Sequence, residues 1–276
     1  MVEGKGINEI REFTPKMIKG IKDNSFMIFA APRRAGKTVL ASYILKHLGK
    51  RFSAAFVISK TSTLQGAFEM IDEKFHFNPS DTSFEEIVKT IIKFQEKRKN
   101  DKKKKVGQIL VVMDDLFVSS RRGVGQFSPG LSRIAATGRH YHVFFILIAQ
   151  RYQNIGSSIR SQASHYITFR PRSSKERDML FDAYLSRESS GSKREARIRA
   201  RQVMQEIFEG KGKEYRAMLI ECEATSSQLK DIVYWIKIPE DDKPWKLPLK
   251  IIYDDSNKQQ SDIFDTTNLT RLGTLP

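Results

Sequence analysis

The sequence predicts an α/β fold with a mostly parallel sheet, and three observations predict it. Short apolar runs alternate with amphipathic stretches along the first 170 residues, the rhythm of β-α-β units. One apolar run leads directly into a loop of phosphate-binding spacing, and a helical pattern follows it. Another apolar run ends in two adjacent carboxylates, Asp114 and Asp115.

Residues 1–22 read as a lead-in helix or arm. The first strand spans 25–30, and its Phe-Met-Ile-Phe centre lacks polar alternation, as in a strand covered on both faces. A helix then runs to about Leu48, with Leu40, Tyr43, Ile44 and Leu48 on one stripe. Residues 53–59 form the second strand. The clearest amphipathic helix covers 84–97, where Phe84, Ile87, Val88, Ile91 and Ile92 share a face and Ser83 with Glu86 has capping-box spacing. A basic polar loop, 97–105, precedes the third strand at 108–113. A glycine-bearing loop (119–130) and a short helix (131–138) lead to the fourth strand at 142–149, and the fifth is at 165–170.

Beyond Pro171 the pattern changes. Residues 173–185 and 193–208 read as charged helices, and 216–221 and 231–238 as edge strands. The tail from Asp254 is polar and reads as a mobile or docking arm. The domain expectation is an arm (1–22), one ATPase domain (23–253, with its core at 25–170 and an extension over 171–253) and a tail (254–276).

Composition narrows the function. Hydrophobic residues make up 39% of the 276, enough for a sizeable core. No run approaches the ~20 apolar residues of a membrane span, and residues 1–12 lack an apolar signal region. The lone Cys222 excludes an intramolecular disulfide or a multi-cysteine zinc site and points to a reducing compartment. His47, His76, His140, His142 and His165 do not complete a zinc spacing with it. The formal charge of +16 favours polyanionic partners.

The loop reads Ala31-Pro32-Arg33-Arg34-Ala35-Gly36-Lys37-Thr38, with Ala31 where the P-loop pattern has its first glycine. Backbone N–H groups in such a loop form a nest for phosphate oxygens, and the helix N-terminus adds its positive end. Lys37 is placed to reach the β/γ-phosphates of ATP, and the Thr38 hydroxyl to ligate Mg²⁺. Ala31 raises the expectation of an altered loop, since alanine is costlier than glycine at positive φ. Asp114, at the end of its strand, is the expected holder of the Mg²⁺ hydration shell, and Asp115 the expected general base on the attacking water. Gln150, leaving the fourth strand, is placed to sense the γ-phosphate. Arginine-finger candidates are Arg139 before that strand and Arg151 and Arg160 after it, with Arg33 and Arg34 as loop candidates.

These motifs, together with Gly138-Arg139-His140 and Ile148-Ala149-Gln150-Arg151, resemble the genome-packaging ATPases of the FtsK–HerA superfamily, in the poxvirus-type group of large DNA viruses and relatives. The resemblance covers roughly 25–170, with a weaker echo at 215–238. It implies an additional-strand (RecA-like) P-loop core with sheet order 5-1-4-3-2. It implies Mg-ATP as fuel, a ring (pentamer or hexamer) around double-stranded DNA, capsid-vertex or portal partners, and residence in the host cytoplasm at viral factories or in the virion.

The leading expectation is a translocase packaging viral double-stranded DNA into a preformed capsid. A HerA-like DNA-processing translocase or helicase, a P-loop small-molecule kinase and a non-catalytic nucleotide-binding DNA scaffold stand beside it. The DNA-facing candidates are 97–105, Arg121-Arg122 and 193–201, basic runs without interleaved aromatics, which suits duplex phosphates over stacked single strands.

Overall fold

The computed structural model describes residues 10–59, 68–77, 81–100, 107–114, 129–186, 192–209, 212–213, 215–239 and 244–249. The strands are β1 (Phe26–Ala30), β2 (Phe52–Ser59), β3 (His76–Phe77), β4 (Gln108–Asp114), β5 (Val143–Ala149), β6 (His165–Thr168), β7 (Arg216–Glu221) and β8 (Val233–Lys237). They form one sheet in the order β3-β2-β4-β5-β1-β6-β7-β8. The first six pair in parallel, and β7 and β8 join antiparallel. The five expected strands lie in the middle, and their order is the expected 5-1-4-3-2.

The centre is parallel because both of its faces are covered. Every residue of β1 and β5 is buried, which an alternating polar strand would not tolerate. Helices Lys37–Leu48, Asp81–Asn100 and Pro129–Thr137 carry the crossovers between the parallel strands. The first contributes the buried Leu40, Ala41, Ile44, Leu45 and Leu48.

Two expectations are corrected. Of the two strands expected at the edge only β8 is one; β7 lies between β6 and β8, and its Ala217, Met218, Leu219 and Ile220 are all buried. Four consecutive apolar residues mark both faces of β7 as covered, and its place inside the sheet comes from pairing with β6 and β8. The helix expected over 173–185 is α-helical only over Ser174–Leu180, then widens into a π-turn over Phe181–Leu185 that buries Phe181, Tyr184 and Leu185.

From Ile10 onward the lead-in is packed into the core, with Ile10, Phe13, Ile18 and Ile21 buried. Phe13 N–H donates to Trp235 O (2.7 Å), and Trp235 N–H donates to Arg11 O (3.0 Å). These bonds cover the outer side of β8, where open N–H and C=O groups would otherwise invite pairing with another chain. A second segment, 244–249, straps the opposite margin. Trp245 Nε1 donates to Ser42 Oγ (3.3 Å) on the helix Lys37–Leu48. Leu247 N–H donates to Met70 O (2.8 Å), and Lys246 Nζ to Glu69 O (2.9 Å).

Candidate nucleotide site

The site is built where three neighbouring parallel strands end together. Phe29 is level with Ile148, and Ile148 with Asp114. The loop 31–36 leaves β1, Gln150 leaves β5, and Asp114 closes β4 on this one edge. Ligands of open α/β sheets bind at such carboxyl ends.

Ala31 causes none of the expected strain. Its N–H donates to Ala149 O (3.1 Å), extending the β1–β5 ladder by one residue, and it is buried with a negative φ. The left-handed positions are Arg34 (φ 62°) and Gly36 (φ 88°). Their spacing within a tight turn suits a concave loop lined by N–H groups. Gly36 is also the N-cap of the helix Lys37–Leu48. A Cβ there would lie 3.3 Å from Ile238 Cγ2 and 3.7 Å from Phe169 Cε1. Glycine is thus required twice, by conformation and by close approach.

Lys37 folds over the loop. Its Nζ donates to Ala31 O (2.7 Å) and Pro32 O (2.8 Å), so its ammonium lies across the mouth of the nest. Thr38, Asp114 and Gln150 are half-buried at the same edge. The donor set fits a magnesium nucleotide: an ammonium, a hydroxyl at a helix N-terminus and a carboxylate two strands away. Asp115, the expected base, lies outside the described residues.

Beside the loop, Pro32, Arg33, Gln150, Arg151, Gln153, Arg172, Ser173 and Glu176 line an open cleft. Arg172 and Glu176 had no signal in the sequence, because only the chain's path beyond Pro171 brings them here. Ser173 Oγ accepts from Glu176 N–H (3.2 Å), and Glu176 Oε2 accepts from Arg172 N–H (3.0 Å). These two bonds fix one wall of the cleft.

The arginine candidates separate by position. Arg151 lines the cleft. Arg160 is held within its own chain, donating to Ile155 O and lying 4.3 Å over the Tyr152 ring. Burial raises the Tyr152 pKa, and Arg160 opposes that shift. Arg139 is exposed in the turn Gly138–Tyr141, before β5. It therefore lies at the end of the sheet opposite the phosphate loop, roughly 20 Å away along a seven-residue strand.

Of the basic runs, 193–201 opens the helix Lys193–Phe208, which buries Ala196, Ala200, Val203 and Met204 and exposes Arg194, Ile198 and Arg201. Of the run 97–105, expected as a loop, the described residues 97–100 are instead the end of the helix Asp81–Asn100, and 101–105, Arg121-Arg122 and the tail from Asp254 lie outside the described residues. Among the described residues no helix is long and apolar enough to cross a membrane.

The profile of the family described as Poxvirus A32 protein matches residues 19–237. No curated protein sequence matches the chain. Among solved structures, the pCW3 conjugation coupling protein TcpA with ATPγS is similar at 14% identity and TM-score 0.53, covering 91% of this chain and 65% of that one. ATPases 2 and 3 of EssC from Geobacillus thermodenitrificans are similar at 14% identity and TM-score 0.50, covering 90% and 44%. The genome packaging NTPase B204 from Sulfolobus turreted icosahedral virus 2, in complex with ATPγS, aligns at 15% identity and TM-score 0.49, covering 78% and 98%. The profile match runs from the lead-in helix to the last strand and contains the phosphate loop and the Asp114 strand, so this chain is a P-loop ATPase belonging to the poxvirus A32 family.

Proposed function

We propose that this protein is a DNA-translocating motor that hydrolyses Mg-ATP to package viral double-stranded DNA into a preformed capsid. The observation that carries the proposal is the convergence of Lys37, Thr38, Asp114 and Gln150 on one edge of the sheet, in a chain of the A32 family with a charge of +16.

In this reading the loop N–H groups and Thr38 hold Mg-ATP, with Asp114 on the metal's water shell. The magnesium ion supplies charge neutralisation for the phosphates as the terminal group transfers. Lys37 exchanges its bonds to the Ala31 and Pro32 carbonyls for the β/γ-phosphate oxygens. Gln150 orients the attacking water and reports the loss of the terminal phosphate, and Asp115 takes that water's proton. Arg139 works across a subunit boundary in a ring of pentamer or hexamer type, since its own loop is out of reach. The helix Lys193–Phe208 and the basic run 97–105 contact duplex phosphates without reading sequence. Vertex or portal components of the capsid are the docking partners, in the host cytoplasm or the virion.

The test is Mg-ATP hydrolysis with and without long duplex DNA. Hydrolysis should rise with duplex DNA, and Lys37→Ala should lower it by roughly 100-fold or more, the scale for removing one transition-state donor. Hydrolysis indifferent to DNA would leave an ATPase with another substrate. A folded, assembled protein without hydrolysis would instead favour the nucleotide-binding scaffold.

A further inference from the structure

Three large apolar side chains are exposed among the described residues: Val39 (42%), Ile198 (48%) and Tyr215 (51%). Ile198 belongs to the basic helix. Tyr215 adjoins one place, the contact between Gly36 and Ile238, and Val39 follows Gly36 by three residues. Ile238 Cγ2 lies 3.3 Å from where a Gly36 Cβ would stand. Tyr215 is opposite Ile238 across the β7–β8 ladder, whose last register pair is Arg216 with Lys237, and Ile238 N–H donates to Tyr215 O (2.7 Å). Directly opposed residues of an antiparallel pair share a face. The Tyr215 ring is therefore on the face that meets Gly36. Val39 lies one helical turn past Gly36, in the first turn of the helix Lys37–Leu48.

The sheet gives the ligand a direction. Asp114 and Gln150 lie on β4 and β5, to one side of β1, and mark the terminal-phosphate end. β6, β7 and β8 lie on the other side of β1. A nucleotide threaded through the loop runs its nucleoside end past Gly36 toward Ile238 and Tyr215. An aromatic ring left half in solvent there is matched by a planar heteroaromatic base.

We propose that Tyr215 and Ile238 form the base platform of this site, with the nucleobase stacked on the Tyr215 ring and Val39 as the facing wall. The proposal rests on the nucleotide reading above and assigns to β7–β8 a share in binding that the loop alone does not explain. A triphosphate without a base would gain nothing from it.

The test compares binding of ATP and of inorganic tripolyphosphate by calorimetry. Tyr215→Ala should weaken ATP roughly tenfold, within the range for loss of one base–aromatic stack, and leave tripolyphosphate unchanged. Tyr215→Trp should keep ATP affinity and show fluorescence quenching by ATP but not by tripolyphosphate. Unchanged ATP affinity in Tyr215→Ala overturns the platform. Equal weakening for both probes also overturns it, since the damage would then lie in the phosphate loop. If Lys37→Ala binds both probes like the parent protein, or the parent binds neither, the nucleotide reading itself fails and the platform falls with it.

Discussion

Gly36 concentrates the demands that shape this site. Its φ of 88° turns the chain from loop into helix, and its missing Cβ admits Ile238 and Phe169. Gly36→Ala adds an L-residue in the left-handed region, worth roughly 1–2 kcal/mol, and a contact that Ile238 must relieve. We expect a loss of about 2 kcal/mol in urea unfolding with hydrolysis reduced at least as far as in Lys37→Ala. An alanine variant with parental stability and turnover would show that the loop does not need this geometry. The meeting of Lys37, Thr38 and Asp114 at one edge was legible in the sequence because each sits at a fixed offset from an apolar run. The contact of Ile238 with Gly36 was not, since the two positions meet only after β7 and β8 have folded back beside β6.

At the scale of elements, β6 joins the parallel core to the antiparallel extension, and its first residue carries a titratable group. His165 is buried, with Nδ1 2.9 Å from Ser164 Oγ and the Phe13 ring edge-on at 6.4 Å. Burial, with a smaller push from Lys22, lowers its pKa to about 4 from 6.5. The folded protein keeps this imidazole neutral while the unfolded chain takes up a proton below about pH 6.5. Stability is therefore full above that pH, falls as pH drops from about 6.5 to about 4, and falls no further from this cause below it. The loss by pH 5 is about 2 kcal/mol. His76, also lowered by burial, acts in the same direction. Urea midpoints at pH 7.5 and pH 5 should differ far less in His165→Gln than in the parent; equal differences would remove His165 from the account. The five core strands were readable because unbroken apolar runs of strand length leave few alternatives. β3 was not, for two residues carry no periodicity, and β7 was misplaced because an apolar run shows which faces are covered and not which strands pair on either side.

At the scale of the whole molecule, the sheet sets the phosphate loop and Arg139 at opposite ends of its strands. The phosphate loop lies at the carboxyl end of β1, and Arg139 lies before the amino end of β5. One subunit therefore has no means of bringing its own Arg139 to its own nucleotide without breaking the central pairing. Arg139→Ala should abolish hydrolysis in the assembled protein while leaving ATP binding intact. Mixing Arg139→Ala subunits with Lys37→Ala subunits should restore hydrolysis that neither variant shows alone, because some interfaces then join an intact loop to an intact arginine. Failure of the mixture to recover would exclude a finger role for Arg139 and turn attention to Arg151, which lines the cleft.

The strap formed by 244–249 carries a consequence for how the molecule presents its ends. The last strand finishes at the β8 margin, yet by Leu247 the chain is bonded to Met70, in the segment leading into β3 at the far margin. Residues 244–249 thus stand against Ser42 and the β3 margin, away from the β8 flank. The stretch 244–249 therefore lies on the β2–β3 side of the molecule, beside the Asp114 half of the site, and not on the flank where the base platform lies. Two subunits abutting through that margin would bury Trp245 and Leu247 of one at the seam between them, whereas the segment from Ile10 to Ile21 would remain at the opposite flank.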